Sequence, residues 1–169
     1  MKSTILYLFF LLCLNTLQAQ FQSADLGISG LTCSACSRGV EMSLRKLPFV
    51  ENVIMNLQLT QAKIIFKKSG VVEIEKLAAA VIDAGFSLNY LKAEFLFSNI
   101  VVSNNYCFSF ENNKYQFLLS ENKTLNGKVI LRFIGDKYLP KKDVAAWKPK
   151  MNKACQSTNK KEKLYYVTL

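Results

Sequence analysis

The chain has 169 residues, half of them apolar, with 22 basic and 12 acidic side chains, five cysteines and no histidine. That size and apolar share suit one ordinary domain or two small ones and exclude disorder throughout. The lack of histidine removes the commonest general base and zinc ligand, while the net charge of +10 points to an anionic partner until it is divided by region.

Lys2, the apolar run from Ile5 to Leu14 and the small-residue site Leu17, Gln18, Ala19 read as a signal peptide over residues 1–19, cleaved ahead of Gln20. The expectation is an exported protein, periplasmic or secreted, in an oxidising compartment. An uncleaved anchor is the alternative, but the run is shorter than the roughly 20 residues of a spanning helix. A lipid anchor at Cys13 is disfavoured by the bulky Leu12 before it. No membrane span is expected after cleavage, and Cys33, Cys36, Cys107 and Cys155 remain.

Residues 20–94 carry 8 basic and 7 acidic side chains, and residues 95–169 carry 13 and 5. The basic excess therefore belongs to the C-terminal half.

Ala24 to Ile28 reads as a strand running into Gly30. Cys36, Val40, Leu44 and Leu47 then fall on one face of a helix from about Ser34 to Lys46, closed by Pro48. Val53, Met55 and Leu57, then Ala62, Ile64 and Phe66, alternate as two strands joined by a turn. Ile74, Leu77, Ala78 and Val81 form the apolar face of a second helix, with Glu73 and Glu75 at its start and Gly85 as a left-handed C-terminal cap. Ser87 to Leu91 supplies a fourth strand. The order strand, helix, strand, strand, helix, strand is the split βαβ, ferredoxin-like arrangement.

Beyond it, strands are expected at Phe95 to Val102, Tyr106 to Phe110, Tyr115 to Leu119, Val129 to Ile134 and Leu164 to Thr168, with Asn126 and Gly127 as a two-residue hairpin turn. Asp143 to Trp147 reads as a helical turn and Lys148 to Lys163 as a lysine-rich connection. The fold class is α+β: a ferredoxin-like βαββαβ domain over 20–93, then a small β-rich domain over 94–169, for which a five-stranded barrel fits.

The run Gly30, Leu31, Thr32, Cys33, Ser34, Ala35, Cys36 stands after a strand and at the opening of a helix. The unpaired amides and positive dipole end of a first helical turn stabilise thiolates. Two soft thiolates without histidine suit Cu(I) or Hg(II), whereas structural zinc takes four ligands. Asp25 and Asp83 are the carboxylates left as added ligands for Zn(II).

This stretch resembles the heavy-metal-associated family, which includes copper chaperones and the N-terminal modules of copper-transporting P-type ATPases. The resemblance covers about Ser23 to Leu91 and rests on GLTCSAC, on Asn56, Leu57 and Ala62, and on Asp83, Ala84, Gly85 and Phe86. Leu31 stands where the family has methionine, and a core position beneath the loop accepts either. The resemblance implies a Cu(I) site at Cys33 and Cys36, shielding of the thiolates by Phe86, a metal donor or acceptor protein as partner, and a role in copper delivery, buffering or sensing. The exported mercuric-ion-binding relatives make Hg(II) the alternative cargo. Phe86 as a plain core aromatic is an equal reading, and Arg38, two residues past Cys36, is either a charge offset for the thiolates or a solvated side chain.

Other readings of the cysteine pair are a structural disulfide and thiol–disulfide exchange. No aromatic precedes Cys33 and no proline stands where a redox fold needs one, which argues against exchange. Assigning Cys33 and Cys36 to metal leaves Cys107 and Cys155 as a candidate disulfide, against the alternative of a buried free Cys107 and an exposed Cys155. The aromatics and lysines of the C-terminal half suit strand interiors and a solvated face, or an interaction module docking an acidic surface. Export speaks against nucleic acid. With no histidine, carboxylate pair or nucleophile motif, the chain is not expected to be an enzyme.

Overall fold

The computed structural model describes residues 20–119, 121–152, 154–155 and 162–169. The expected signal peptide, residues 1–19, lies outside them. In chain order the elements are β1 (Phe21–Ser29), α1 (Ser34–Arg45), β2 (Val50–Asn56), β3 (Gln61–Phe66), α2 (Ile74–Asp83), β4 (Ser87–Val102), β5 (Cys107–Phe110), β6 (Asn113–Phe117), β7 (Lys123–Ile134), α3 (Lys141–Trp147), a 3₁₀ turn (Lys148–Lys150) and β8 (Leu164–Thr168).

The first six form the expected ferredoxin-like unit. Strand alternation buries Ala24, Leu26 and Ile28 of β1 with Ala62 and Ile64 of β3, and the helices cover that face with Val40, Leu44, Leu77 and Val81. Burying each Leu, Ile or Val side chain contributes roughly 1.5–3 kcal/mol before chain entropy is charged against it. Gly85 ends α2 at φ +88°. The Phe86 N–H reaches Val81 O at 3.1 Å and the Gly85 N–H reaches Ile82 O at 2.9 Å, the paired bonds of a Schellman cap.

The C-terminal half departs from the barrel expected for it. All strands join one open, mixed sheet of order β2-β3-β1-β4-β7-β8-β6-β5. Its pairings are antiparallel except β6 with β8. The two strands expected at 87–91 and 95–102 are a single 16-residue β4, so the expected boundary at 93/94 falls inside a strand. Leu91, Ala93, Phe95 and Phe97 are buried on one face without interruption, and the alternation carries the strand through.

Asn126 and Gly127 do not form a hairpin turn. They lie within β7, where Phe97 pairs with Gly127 and Ile100 with Leu125, one residue more on β4 than on β7. Asn99 on β4 (φ +45°) and Gly127 on β7 (φ +70°) supply the left-handed backbone at this bulge. The true two-residue hairpin is Glu111–Asn112, both at positive φ, between the paired Phe110 and Asn113.

The core runs through both halves. Phe21 of β1 meets Phe95 at 4.8 Å between ring centroids, Phe110 at 5.7 Å and Phe133 at 6.4 Å. On the opposite sheet face Leu118, Ile134, Leu139 and Val144 form a smaller cluster under α3 with Trp147 and Met151. Ile134 and Leu118 point there because their neighbours Phe133 and Phe117 point into the main core.

Candidate metal centre

Gly30, at φ +79°, turns the chain out of β1, and the Thr32 N–H closes a tight turn on Gly30 O at 3.0 Å. Leu31 is fully buried beneath the loop, as the resemblance implies. Cys33 then takes the extended N-cap position of α1, φ −124° and ψ 152°. Its carbonyl accepts the Ser37 N–H at 3.0 Å, and its Sγ accepts the Cys36 N–H, also at 3.0 Å. An orphan amide of the first helical turn thus points at sulfur.

Cys33 is exposed, while Cys36 is half-buried and packs against the main core. The two are joined as a disulfide with Cα atoms 5.3 Å apart. Once reduced, a pair this close, on one loop and one helical turn, presents two sulfurs to a single soft cation. Among the described residues no group of three or more Cys, Asp, Glu or His side chains gathers that could hold a metal ion.

The other sequence candidates fall as follows. Asp25 alternates with the buried Ala24 and Leu26, so it faces the sheet side away from the helices, between Lys63 and Lys92 on the neighbouring strands. That placement removes it from the zinc ligand set. Asp83 is exposed at the end of α2, and Arg38 is exposed on α1. Phe86 is half-buried and packs against the main core.

Cys107 and Cys155 are joined across 48 positions, with Cα atoms 5.9 Å apart. Cys155 is buried, and Cys107 lies on the edge strand β5. The segment before Cys155 is held by Asn152, whose Oδ1 accepts from Gln116 Nε2 at 2.6 Å and whose carbonyl accepts from the Tyr166 hydroxyl at 3.2 Å.

Two apolar residues at the cysteine end of the sheet are exposed, Leu57 among the positions that carry the family resemblance and Leu59 outside them. The Ile28 N–H bonds Thr60 O at 2.8 Å, which holds the β2–β3 turn against the end of β1 and sets Leu57 and Leu59 on the cysteine end of the sheet. Both are exposed. Strand periodicity counts Leu57 as an interior residue, so nothing in the pattern marks it as surface.

The C-terminal lysines are partly spoken for. Lys137 and Lys163 both pair with the Glu75 carboxylate at the start of α2, and Lys128 pairs with Glu94 at 3.0 Å. Lys141, Lys142, Lys148 and Lys150 are exposed on and after α3. No helix among the described residues is long and apolar enough to cross a membrane.

Residues 26–87 match the heavy-metal-associated domain family. The chain is 30% identical over 67 residues to a probable copper-transporting ATPase of Arabidopsis thaliana, covering 40% of this chain and 7% of that protein. It is 35% identical over 69 residues to copper-transporting ATPase 1 of Rhizobium meliloti, covering 41% of this chain and 8% of that protein. Among solved structures, oxidised MerP from Ralstonia metallidurans is 31% identical, with 41% of this chain and 97% of that one covered and a TM-score of 0.37. The chain therefore spans less than a tenth of the length of these curated relatives. It contains a heavy-metal-associated domain, related to segments of copper-transporting ATPases, and extends it with a C-terminal region beyond the matched residues.

Proposed function

We propose that the chain is an exported metal-binding protein that, with Cys33 and Cys36 reduced, holds one Cu(I) between their thiolates and serves copper delivery, buffering or sensing. The observation that carries this reading is the cysteine pair at the start of α1, on an exposed loop, with the Cys36 N–H donating to Cys33 Sγ at 3.0 Å. The donor set is soft and small. Two thiolates satisfy a linear Cu(I), whereas zinc needs further ligands.

Copper-transporting proteins among the relatives of the matched segment support copper as cargo. Hg(II) suits the same two sulfurs and stands as the alternative. The relatives match over a small part of their length, so no ATPase chemistry is carried over, and the proposed role is binding and transfer to a partner protein without catalysis. In this reading Phe86 shields the thiolates, nucleic acid is not a partner, and no membrane span remains after signal cleavage.

The test is metal stoichiometry on protein whose Cys33–Cys36 bond has been opened with a phosphine, with Cu(I), Hg(II) and Zn(II) in competition. One Cu(I) per chain is expected. Preference for Zn(II), or Cu(I) bound with unchanged affinity after both cysteines are replaced by serine, overturns the assignment.

A further inference from the structure

We infer that Gln20 is a modification site: once residues 1–19 are removed, its side chain closes on the new α-amine, and the mature chain begins with pyroglutamate. This rests on the export part of the proposed function and on nothing about the metal.

Cleavage after Ala19 frees the α-nitrogen of Gln20. That amine attacks Cδ of its own side-chain carboxamide. An N–Cδ amide bond forms, the Cδ–Nε2 bond breaks, and Nε2 leaves as ammonia, carrying the proton that the amine gives up. The product is a five-membered lactam. The step is intramolecular, so the reacting atoms are already held near one another, and it consumes no oxidant, reductant or second substrate.

The structure accommodates the product. The Gln20 backbone carbonyl accepts the Leu96 N–H at 3.1 Å, extending the pairing of β1 with β4 beyond Phe21. That carbonyl lies outside the lactam ring, so the bond survives closure. The contact that changes is the one from Nε2 to Lys68 O at 2.8 Å, because Nε2 is the leaving group.

The surroundings favour the neutral end. Gln20 lines a cleft of about 660 Å³ with Lys68, Gly70, Phe110 and Glu111. An α-ammonium there would sit one residue from Phe21, which is 1% exposed, and in the same wall as a lysine. The Glu111 carboxylate in that cleft accepts the Val72 N–H at 3.1 Å and keeps further lone pairs, so it offsets part of that charge. Charge beside an apolar cluster is costly unless paired, and lactam formation removes it.

The test uses the full chain exported from expressing cells, digested cold near neutral pH, with a synthetic N-terminal glutaminyl peptide added to report cyclisation during handling. The expected N-terminal peptide begins at residue 20, is lighter than the glutaminyl form by one ammonia and resists aminopeptidase. The Gln20→Ala protein is expected to give an unblocked end. An intact glutamine at residue 20, or equal conversion of the added peptide, overturns the inference and leaves export standing. A mature chain that starts at another residue overturns this inference and moves the cleavage site, and a chain that keeps residues 1–19 overturns the export reading and this inference with it.

Discussion

The carboxylate of Glu111, in the turn between β5 and β6, accepts the backbone N–H of Val72, 39 positions earlier and just ahead of α2. Glu75 on α2 in turn holds Lys137 and Lys163 from the C-terminal half. The two carboxylates tie the same helix start to the extension from opposite partners, and their titrations oppose one another.

Hydrogen bonds from Lys137 and then Lys163 hold the Glu75 carboxyl below its usual value. Its contribution is present above its unfolded pKa and is lost as pH falls through the folded one. Burial pushes the Glu111 carboxyl up, against the pull of the Val72 bond, so its charged form is disfavoured in the fold and stability from it rises on acidification. Glu75→Gln is therefore expected to flatten the acid-side loss of stability, by less than about 1 kcal/mol for so exposed a pairing. Glu111→Gln is expected to steepen it. Urea melts of both variants between about pH 7 and pH 3 check the opposite signs.

Replacing Cys33 or Cys36 by serine is expected to abolish stoichiometric Cu(I) binding while, against the reduced parent, shifting stability by no more than about 1 kcal/mol at the exposed Cys33 and by more at Cys36, which packs against the main core. Metal analysis after gel filtration reads the first effect and thermal melting the second. A variant that fails to fold would place the loop in the core.

The two disulfides are expected to open in order. Cys33–Cys36 is reachable on the surface, and its departing thiolate is stabilised by the start of α1. In the second bridge Cys107 is exposed on the edge strand, but Cys155 is buried, and Asn152 three residues earlier is held by Gln116 and Tyr166. Alkylation and peptide mapping along a thiol titration should label Cys33 and Cys36 first. Losing Cys107–Cys155 should then cost up to about 4 kcal/mol on the chain-entropy estimate for a loop of this length.

Gly27 is expected to reject a side chain. A Cβ there would stand 2.3 Å from the Tyr90 ring, which lies across the open face of β1 beneath the Lys92 ammonium, 5.1 Å from the ring centroid. Gly27→Ala should cost about 1–3 kcal/mol by overpacking. The double variant with Tyr90→Leu should recover part of it, a coupling that denaturant melts of the four proteins measure.

The cysteine loop and the six-element unit around it were legible because each piece had a local signature: the alternation in β1 and β3, the helical spacing of Val40 and Leu44, and the cap at Gly85. What misled was interruption. Lys92, Ala93 and Glu94 look like a break, yet Ala93 is buried and simply small, while the flanking charges point to solvent. Asn126–Gly127 has the chemistry of a turn, but Asn99 across the ladder turned it into a bulge. Sheet closure depends on pairings distant in sequence, and periodicity carries no record of them. So the barrel expectation failed while most of its strands were found.

A fragment of residues 20–94 is expected to retain the ferredoxin-like secondary structure, with its own helix-covered core, and to melt below the full chain. It leaves Phe21 without Phe95, Phe110 and Phe133. Circular dichroism and dye binding to the uncovered aromatic patch check this.

The unbroken β4 also limits how such a chain can be recombined. Because side chains alternate faces with period two between Leu91 and Phe97, inserting or deleting one residue there would invert the inside and outside of whichever half lay downstream, unless a bulge like the one at Asn89 absorbed it. A tandem array tolerates a slack joint between its members. Here the joint is itself a ladder, paired with β1 along one side and β7 along the other, so the extension can be inherited, swapped or grafted only in register with the unit that precedes it.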